Sequence, residues 1–189
     1  MSSSIRRAAD YAKAAHESID QRRKFTNEPY VIHPTAVAKI VASVTDDSEM
    51  ICAAWLHDVV EDTPRTIEQI EDEFGKPIAT LVAELTNIAS ESQGNRKQRA
   101  EINRTHTDGI SRRAKTIKLA DVIDNLTGIV NDETGNMDTP WAEEYVSEKA
   151  LLLTVLSEGD SLLLDRATDL IKRCRMLLEA AKLKDKGSS

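Results

Sequence analysis

A histidine and three carboxylates end an otherwise apolar stretch in the N-terminal half of the chain. The stretch runs from Ile51 to Asp62, and its polar residues are His57-Asp58 and Glu61-Asp62. A helix that is hydrophobic on all sides belongs in a core, where charged groups are normally paired or bound to a metal. The polar end is therefore a candidate metal or catalytic site, and Thr63-Pro64 places it at a helix terminus.

The spacing of these residues decides which of them can act together. On a helix, His57 and Glu61 are four residues apart and share a face, while Asp58 and Asp62 share the neighbouring face. The last turn would then present two potential metal ligands beside two further carboxylates. The alternative interpretation of His57-Asp58 is a buried hydrogen bond without a metal, and that of Glu61-Asp62 is a solvated helix terminus.

Two residues elsewhere in the chain could complete a metal site. His33 precedes Pro34 at the start of a predicted helix, and Asp121 lies on a predicted helix much later in the sequence. With His57 and Asp58 they form a set of two imidazoles and two carboxylates. Such a mixed nitrogen and oxygen set suits a first-row divalent ion such as Mn²⁺ and leaves positions for water and substrate. Only a bundle of helices would bring these residues together.

The chain is predicted to be all-α, a helical bundle with the metal site between helices. It contains seven glycines and five prolines and has few alternating apolar stretches. Residues 46–48 are predicted to cap the central apolar helix, and Thr66-Ile-Glu-Gln69 has the form of a capping box. The predicted helices cover about residues 5–21, 33–44, 51–62, 66–74, 77–87, 96–104, 111–130, 140–156 and 160–184.

Length and composition predict one globular domain. Of the 189 residues, 40% are hydrophobic and 30% charged, and we expect one domain over residues 1–184 with a polar tail at 185–189. Cys52 and Cys174 lie in apolar helical segments and are interpreted as core residues. The N-terminus lacks the apolar segment of a signal peptide, and no apolar run approaches the roughly 20 residues of a membrane span. We therefore expect a cytoplasmic protein.

The charge pattern favours a small anionic partner. A net charge of −7 argues against binding to nucleic acid or to an anionic membrane surface. Basic residues nevertheless cluster in three places, at residues 22–24, 96–99 and 112–115. Local clusters of this kind attract a small anion to an otherwise acidic protein. The sequence carries no indication of an oligomeric state.

The order His, His-Asp, Asp along the chain resembles the signature of the HD phosphohydrolase superfamily. More narrowly, the chain resembles the hydrolase domain of the RelA/SpoT family, which removes the 3′-pyrophosphate from guanosine alarmones. The matching stretches are Gln21-Arg-Arg-Lys24, Pro29-Tyr-Val-Ile-His-Pro34, Ala54-Trp-Leu-His-Asp-Val-Val-Glu-Asp-Thr63, and Ile117-Lys-Leu-Ala-Asp121 with Asn125. The resemblance covers about residues 8–150 and implies a stand-alone small alarmone hydrolase with an HD fold.

The resemblance also implies a role for each matching residue. The residues implied to hold Mn²⁺ are His33, His57, Asp58 and Asp121. Glu61 and Asp62 are implied to position and deprotonate the attacking water. The residues implied to contact the nucleotide are Arg23, Lys24, Lys97 and Asn125. The implied reaction converts ppGpp or pppGpp into GDP or GTP and pyrophosphate.

Two positions depart from the family pattern. Asp124 stands where the family often has a histidine, and residues 143–145 read Glu-Glu-Tyr where relatives tend to carry an arginine that faces substrate phosphates. These departures keep adenosine alarmones open as substrates. They also keep open a different HD-superfamily nucleotide phosphohydrolase or an inactive metal-holding module. Outside the motif, we interpret His16 as structural and Trp141 as a packing residue.

Overall fold

The computed structural model describes residues 2–24, 26–131 and 139–187. Over this part of the chain the structure is helical and contains no β-strand, which confirms the all-α prediction. The helices are α1 (Ser3–Glu17), α2 (Ile32–Ala42), α3 (Ser48–Leu56), α4 (Val59–Asp62), α5 (Ile67–Phe74), α6 (Lys76–Leu85), α7 (Arg96–Asp108), α8 (Arg112–Val130), α9 (Thr139–Leu153) and α10 (Ser161–Gly187). A short 3₁₀ helix at Glu91–Gln93 precedes α7.

Side-chain caps fix where several helices begin. The Asp47 carboxylate accepts the backbone N–H of Glu49 at 3.0 Å and so starts α3. Thr66 and Gln69 form the predicted capping box at the start of α5. Each cap satisfies backbone N–H groups that have no partner within the helix. Local sequence therefore determines these helix starts without help from the rest of the fold.

Helices α3 and α8 form the centre of the bundle. Every residue from 50 to 56 in α3 is buried, and so is every residue from 114 to 123 in α8. Helix α3 packs against α1 and α2, while α8 packs against α2 and α10. Fully buried side chains such as Leu56 and Leu126 fill this interior. Because residues 114–123 of α8 are buried on all sides, the charged residues among them must find partners inside the protein.

The central apolar helix ends earlier than predicted. The sequence predicted one helix through Asp62, but α3 ends at Leu56 and α4 begins at Val59. The ring of His57 donates to the Ala54 carbonyl at 2.9 Å, a side-chain bond that competes with the helical hydrogen-bond ladder. The prediction of a continuous helix was therefore wrong. The directions of the side chains at residues 57–62 are set by the turn between α3 and α4 rather than by continuous helical spacing.

The two ends of the chain also differ in detail from the prediction. Helix α1 ends at Glu17, four residues early, because the chain turns through Asp20 with a left-handed φ of 48°. Helix α10 continues to Gly187, beyond its predicted end at residue 184. Residues 188–189 of the predicted tail lie outside the described residues. No helix in the described part of the chain has the length and apolarity that crossing a bilayer requires.

Candidate metal centre and active site

The imidazoles of His33 and His57 face each other at the centre of the bundle. Their Nε2 atoms lie 3.2 Å apart, and both residues are 1% exposed. The Nδ1 of His33 donates to Asp124 at 2.6 Å, and the Nδ1 of His57 donates to the Ala54 carbonyl. With both protons on Nδ1, each Nε2 presents a lone pair toward the other ring.

Two carboxylates approach the same pair of nitrogens. Asp58 Oδ2 lies 3.1 Å from His57 Nε2 and 3.4 Å from His33 Nε2. Asp121 Oδ1, from α8, lies 3.3 Å from His33 Nε2 and 4.0 Å from His57 Nε2. The ligand atoms of His33, His57 and Asp58 all lie within 4.8 Å of one another. The structure thus brings the four predicted ligand residues together, with Asp121 nearer to His33 than to His57. His33, His57 and Asp121 are buried, and Asp58 is partly buried.

The histidines and carboxylates of this cluster shift one another's pKa values. Burial alone would lower the pKa of His33, but its bonds to Asp121, Asp124 and Asp58 hold that pKa well above its ordinary value. Burial would raise the pKa of Asp58, but His57 and His33 outweigh it and lower that pKa well below its ordinary value. Buried acceptors that converge in this way are stabilised by a proton or by a cation. Nitrogen and oxygen donors of this kind fit a divalent metal ion.

Each residue of the cluster is oriented by a neighbour. The Tyr30 hydroxyl donates to Asp58 Oδ2 at 2.6 Å, and the Asn125 amide donates to Asp121 Oδ1 at 2.6 Å. Lys118, also buried, places its Nζ 3.3 Å from Asp121 Oδ2. Hydrogen bonds of this type fix the direction of ligand lone pairs in metal sites. Tyr30 and Lys118 were not predicted as site residues, although both lie within the matching stretches.

The Glu61-Asp62 pair diverges in the structure. Glu61 is exposed, and its carboxylate accepts both the backbone N–H and the side-chain amide of Asn87, at 3.1 and 2.7 Å. Asp62 is half-buried and accepts the side-chain amide of Gln21 at 2.9 Å. Burial and the nearby charge of Asp58 raise the pKa of Asp62. The two acids therefore stand in different environments.

The basic pair at residues 23–24 also divides into two roles. Arg23 contacts Asp124 at 3.2 Å and Asn125 at 3.3 Å, so it joins the hydrogen bonds that support the cluster. Lys24 is exposed, and its Nζ lies 4.2 Å from the centre of the Trp141 ring. Arg23 thus lies beside the cluster, whereas Lys24 lies on the surface of α9.

A cleft of about 870 Å³ opens between α7 and α9. Two residues of its lining contact site residues directly: Asn87 binds Glu61, and Lys118 contacts Asp121. The cleft therefore lies beside the histidine–aspartate cluster, although no residue of the cluster lines it. Lys97 lies on the α7 wall with an exposed side chain. The basic residues that line the cleft are Arg96, Lys97, Arg99, Arg104, Lys118 and Lys149, and its acidic residues are Glu101, Glu144 and Glu148. The excess of basic residues suits an anionic ligand.

The two departures from the family pattern have structural roles. Asp124 holds the imidazole of His33, as described above. Glu144 lies 3.4 Å from Arg96, which crosses from α7 and also contacts Glu148 at 2.9 Å. The guanidinium of Arg96 lies 5.4 Å from the centre of the Trp141 ring. The guanidinium of Arg96, a residue of α7, therefore places a positive charge against α9.

Comparisons with known proteins agree with this architecture. Residues 8–143 match the family model of an HD domain. A relative from Xenopus tropicalis, called guanosine-3′,5′-bis(diphosphate) 3′-pyrophosphohydrolase MESH1, is 36% identical over 150 residues, which cover 76% of this chain and 77% of the relative. A relative from Aquifex aeolicus, called guanosine-3′,5′-bis(diphosphate) 3′-pyrophosphohydrolase, is 41% identical over 125 residues, which cover 65% of this chain and 17% of the relative.

A solved structure shows the same arrangement of helices. It is described as a metazoan ortholog of SpoT that hydrolyses ppGpp, and it matches with a TM-score of 0.80 at 30% identity, over 92% of this chain and 96% of that one. The chain thus spans less than a fifth of the long Aquifex relative and most of the length of the MESH1 relative. On these matches and on the buried histidine–aspartate cluster, the chain belongs to the HD-domain family, among the RelA/SpoT-type and MESH1 hydrolases.

Proposed function

We propose that this protein hydrolyses the 3′-pyrophosphate of guanosine alarmones in the presence of Mn²⁺. The reaction would convert ppGpp or pppGpp and water into GDP or GTP and pyrophosphate. The observation that carries the proposal is the approach of two carboxylates, from Asp58 and Asp121, to the facing Nε2 atoms of two buried histidines, beside a cleft lined mainly by basic residues. The names of the MESH1 relatives support the choice of substrate.

The metal ligands in this proposal are His33, His57, Asp58 and Asp121. A bound divalent cation would stabilise negative charge on a phosphoryl oxygen and make water a better nucleophile at neutral pH. Mn²⁺ is proposed because the donor set mixes imidazole nitrogens with carboxylate oxygens. The protein contributes the fixed direction of these donors through Tyr30 and the other residues that orient them.

Asp62 is proposed to take the proton of the attacking water. A general base works best when its pKa lies near the working pH, and burial and Asp58 raise the pKa of Asp62 in that direction. Glu61 is proposed to orient the water, since its carboxylate is held in place by two hydrogen bonds from Asn87, a residue of the cleft wall. The two acids then divide proton transfer and orientation between them.

The nucleotide contacts in this proposal come from Arg23, Lys24, Lys97 and Asn125. Lys24 and Lys97 are exposed and can reach an incoming phosphate. Arg23 and Asn125 have an additional role, because one supports Asp124 and the other orients Asp121. Positive charge of this kind offsets the negative charge that develops on the leaving pyrophosphate.

Residues 1–184 would act as one hydrolase domain, with residues 185–189 as a polar tail. Cys52 and Cys174 are both buried and free, which suits a reducing compartment such as the cytoplasm.

The test is incubation of the purified protein with MnCl₂ and ³²P-labelled ppGpp, followed by separation of the products. The expected products are GDP and pyrophosphate, and EDTA should abolish their formation. A parallel reaction with ppApp measures purine preference, since adenosine alarmones are the alternative substrates. Orthophosphate release from a 5′-monophosphate would identify a different HD phosphohydrolase, and failure to cleave any alarmone would reject the proposal.

A further inference from the structure

Gln21 connects three parts of the molecule that surround the metal cluster. Its backbone N–H donates to the carbonyl of His16 at the end of α1, at 3.1 Å. Its backbone carbonyl accepts the N–H of Tyr30 at 3.0 Å, and Tyr30 in turn donates to the cluster residue Asp58. Its side chain reaches Asp62 on α4. Both the N–H and the carbonyl of the Gln21 backbone are therefore hydrogen-bonded, independently of the contacts that its side chain makes.

The Gln21 side-chain amide bridges His16 and Asp62. Nε2 donates to Asp62 Oδ2 at 2.9 Å, and Oε1 lies 2.6 Å from His16 Nδ1. An ionised carboxylate only accepts hydrogen bonds, so the NH₂ group must face Asp62. The amide oxygen must then accept, which places a proton on Nδ1 of His16. The directions of both hydrogen bonds are thus determined by chemistry.

His16 is held in place by its surroundings. It is 1% exposed, and its ring lies 4.8 Å from the ring of Tyr30, centre to centre. A buried ring in contact with a second ring cannot turn freely, so its Nδ1–H points steadily at Gln21. The consequence is a fixed sequence of hydrogen bonds from His16 through Gln21 to Asp62.

We propose that Gln21 is a positioning residue that aims the Asp62 carboxylate at the attacking water, and that His16 fixes the rotamer of Gln21. This inference rests on the proposed function, since it assigns Asp62 the proton-accepting role given above. The Gln21 amide occupies Oδ2 of Asp62 and thereby limits rotation of the carboxylate. Small displacements of a reacting group slow the chemical step strongly, whereas the contacts that bind substrate remain in place.

The first test compares kcat, KM and bound Mn²⁺ in variants of Gln21. Gln21→Met keeps the length of the side chain and removes both hydrogen bonds. Gln21→Glu keeps an acceptor for His16 but replaces the N–H donor to Asp62 with a second carboxylate, which repels it. Both variants should lower kcat by ~10-fold or more, with KM and Mn²⁺ content unchanged. The matched control is Gln69→Met in the exposed cap of α5, which should keep the wild-type kcat.

The second test examines His16. His16→Leu removes the donor to Gln21 and fills the buried position with an apolar side chain. His16→Asn places an amide N–H close to the position of Nδ1 and should restore most of the kcat that His16→Leu loses. Equal kcat values for these two variants would overturn the role of His16.

The third test does not depend on turnover or on metal. The free energy of unfolding in urea is measured without Mn²⁺ for wild type, Gln21→Met, Asp62→Ala and the double variant. Coupled residues give effects that do not add, and we expect such non-additivity here. Additive effects would show that the Gln21–Asp62 bond is absent in solution and would overturn the inference.

The activity of the wild-type protein distinguishes a wrong role for Gln21 from a wrong proposed function. If the wild type cleaves no alarmone, the proposed function fails and the positioning role fails with it. If the wild type releases pyrophosphate but the Gln21 variants keep its kcat, only the positioning role is overturned.

Discussion

His33 Nδ1 donates to Asp124 Oδ2 across 2.6 Å, and this hydrogen bond orients a buried imidazole toward the metal cluster. The two residues come from α2 and α8 and are 91 positions apart in the chain. Asp124 occupies a position where the family pattern often has a histidine. The acid therefore strengthens the cluster by fixing the tautomer of His33.

Asp124→Ala should weaken Mn²⁺ binding by ~10–100-fold, the usual cost of removing a partner of a ligating histidine. Asp124→Asn should weaken it less, because its amide oxygen can still accept the Nδ1–H of His33. Isothermal titration calorimetry with MnCl₂ measures both values. Equal affinities for wild type and Asp124→Ala would contradict this role.

His33→Ala and His57→Ala should each lose bound metal and pyrophosphohydrolase activity together. The loss of affinity should exceed the ~10–100-fold expected for an orienting partner, since a direct ligand is removed. Metal content after dialysis, measured by inductively coupled plasma mass spectrometry, provides the readout. His106→Gln is the control, because His106 binds the Glu84 carbonyl through Nε2 and a glutamine can replace that contact. A His57→Ala protein that kept its full metal content would disprove the ligand assignment.

Asp62→Asn should lower kcat by ~10²–10⁴-fold, the range typical of a lost general base, while metal content stays at the wild-type level. Glu61→Gln should have a smaller effect, because its amide oxygen can still accept a hydrogen bond from Asn87. The double variant Glu61→Ala/Asp62→Ala should retain metal and lose turnover. Steady-state kinetics with ppGpp separates these outcomes, and a double variant with the wild-type rate would exclude both acids from water activation.

Lys97→Ala should raise KM by roughly 10-fold, the value of one charge-assisted hydrogen bond, and leave kcat nearly unchanged. The reason is that an exposed base on the cleft wall binds substrate and transition state alike. Lys39→Ala, which removes an exposed lysine from α2, serves as the control for net charge. A fall in kcat without a change in KM would place Lys97 at the reacting phosphate instead.

Two glycines should respond to alanine substitution in opposite directions. A Cβ at Gly159 would lie 2.7 Å from Leu119 Cδ1 and 3.2 Å from the backbone of Lys115, so Gly159→Ala should destabilise the fold by about 1–3 kcal/mol. Gly128 lies inside α8, and a Cβ there meets only the end of the Arg23 side chain at 3.8 Å. Gly128→Ala should therefore stabilise the protein by about 0.5–1 kcal/mol. Urea unfolding of both variants tests the packing of α8, and equal shifts in the same direction would contradict it.

Residue types and spacing were sufficient to predict the helical class, and the HD fold was predicted from the resemblance of the His, His-Asp and Asp motifs to a known family. The apolar run before His57 predicted a core helix, and α3 is buried from Met50 to Leu56 as expected. The capping box at Thr66 was also predicted correctly, because caps depend only on neighbouring residues. Glu61 and Asp62 are adjacent in sequence, but the sequence did not show that Asn87 would hold one and Gln21 the other.

Only the tertiary structure decided how the polar side chains pair. The turn at residues 57–58 breaks the predicted helix, so helical spacing no longer sets which residues share a face. Tyr30, Lys118 and Gln21 became recognisable as partners of the cluster only once α1, α4 and α8 were packed together. The physical reason is that residue types and local periodicity specify helices and a possible donor set. Hydrogen-bond partners far apart in the chain depend on distances that only packing fixes.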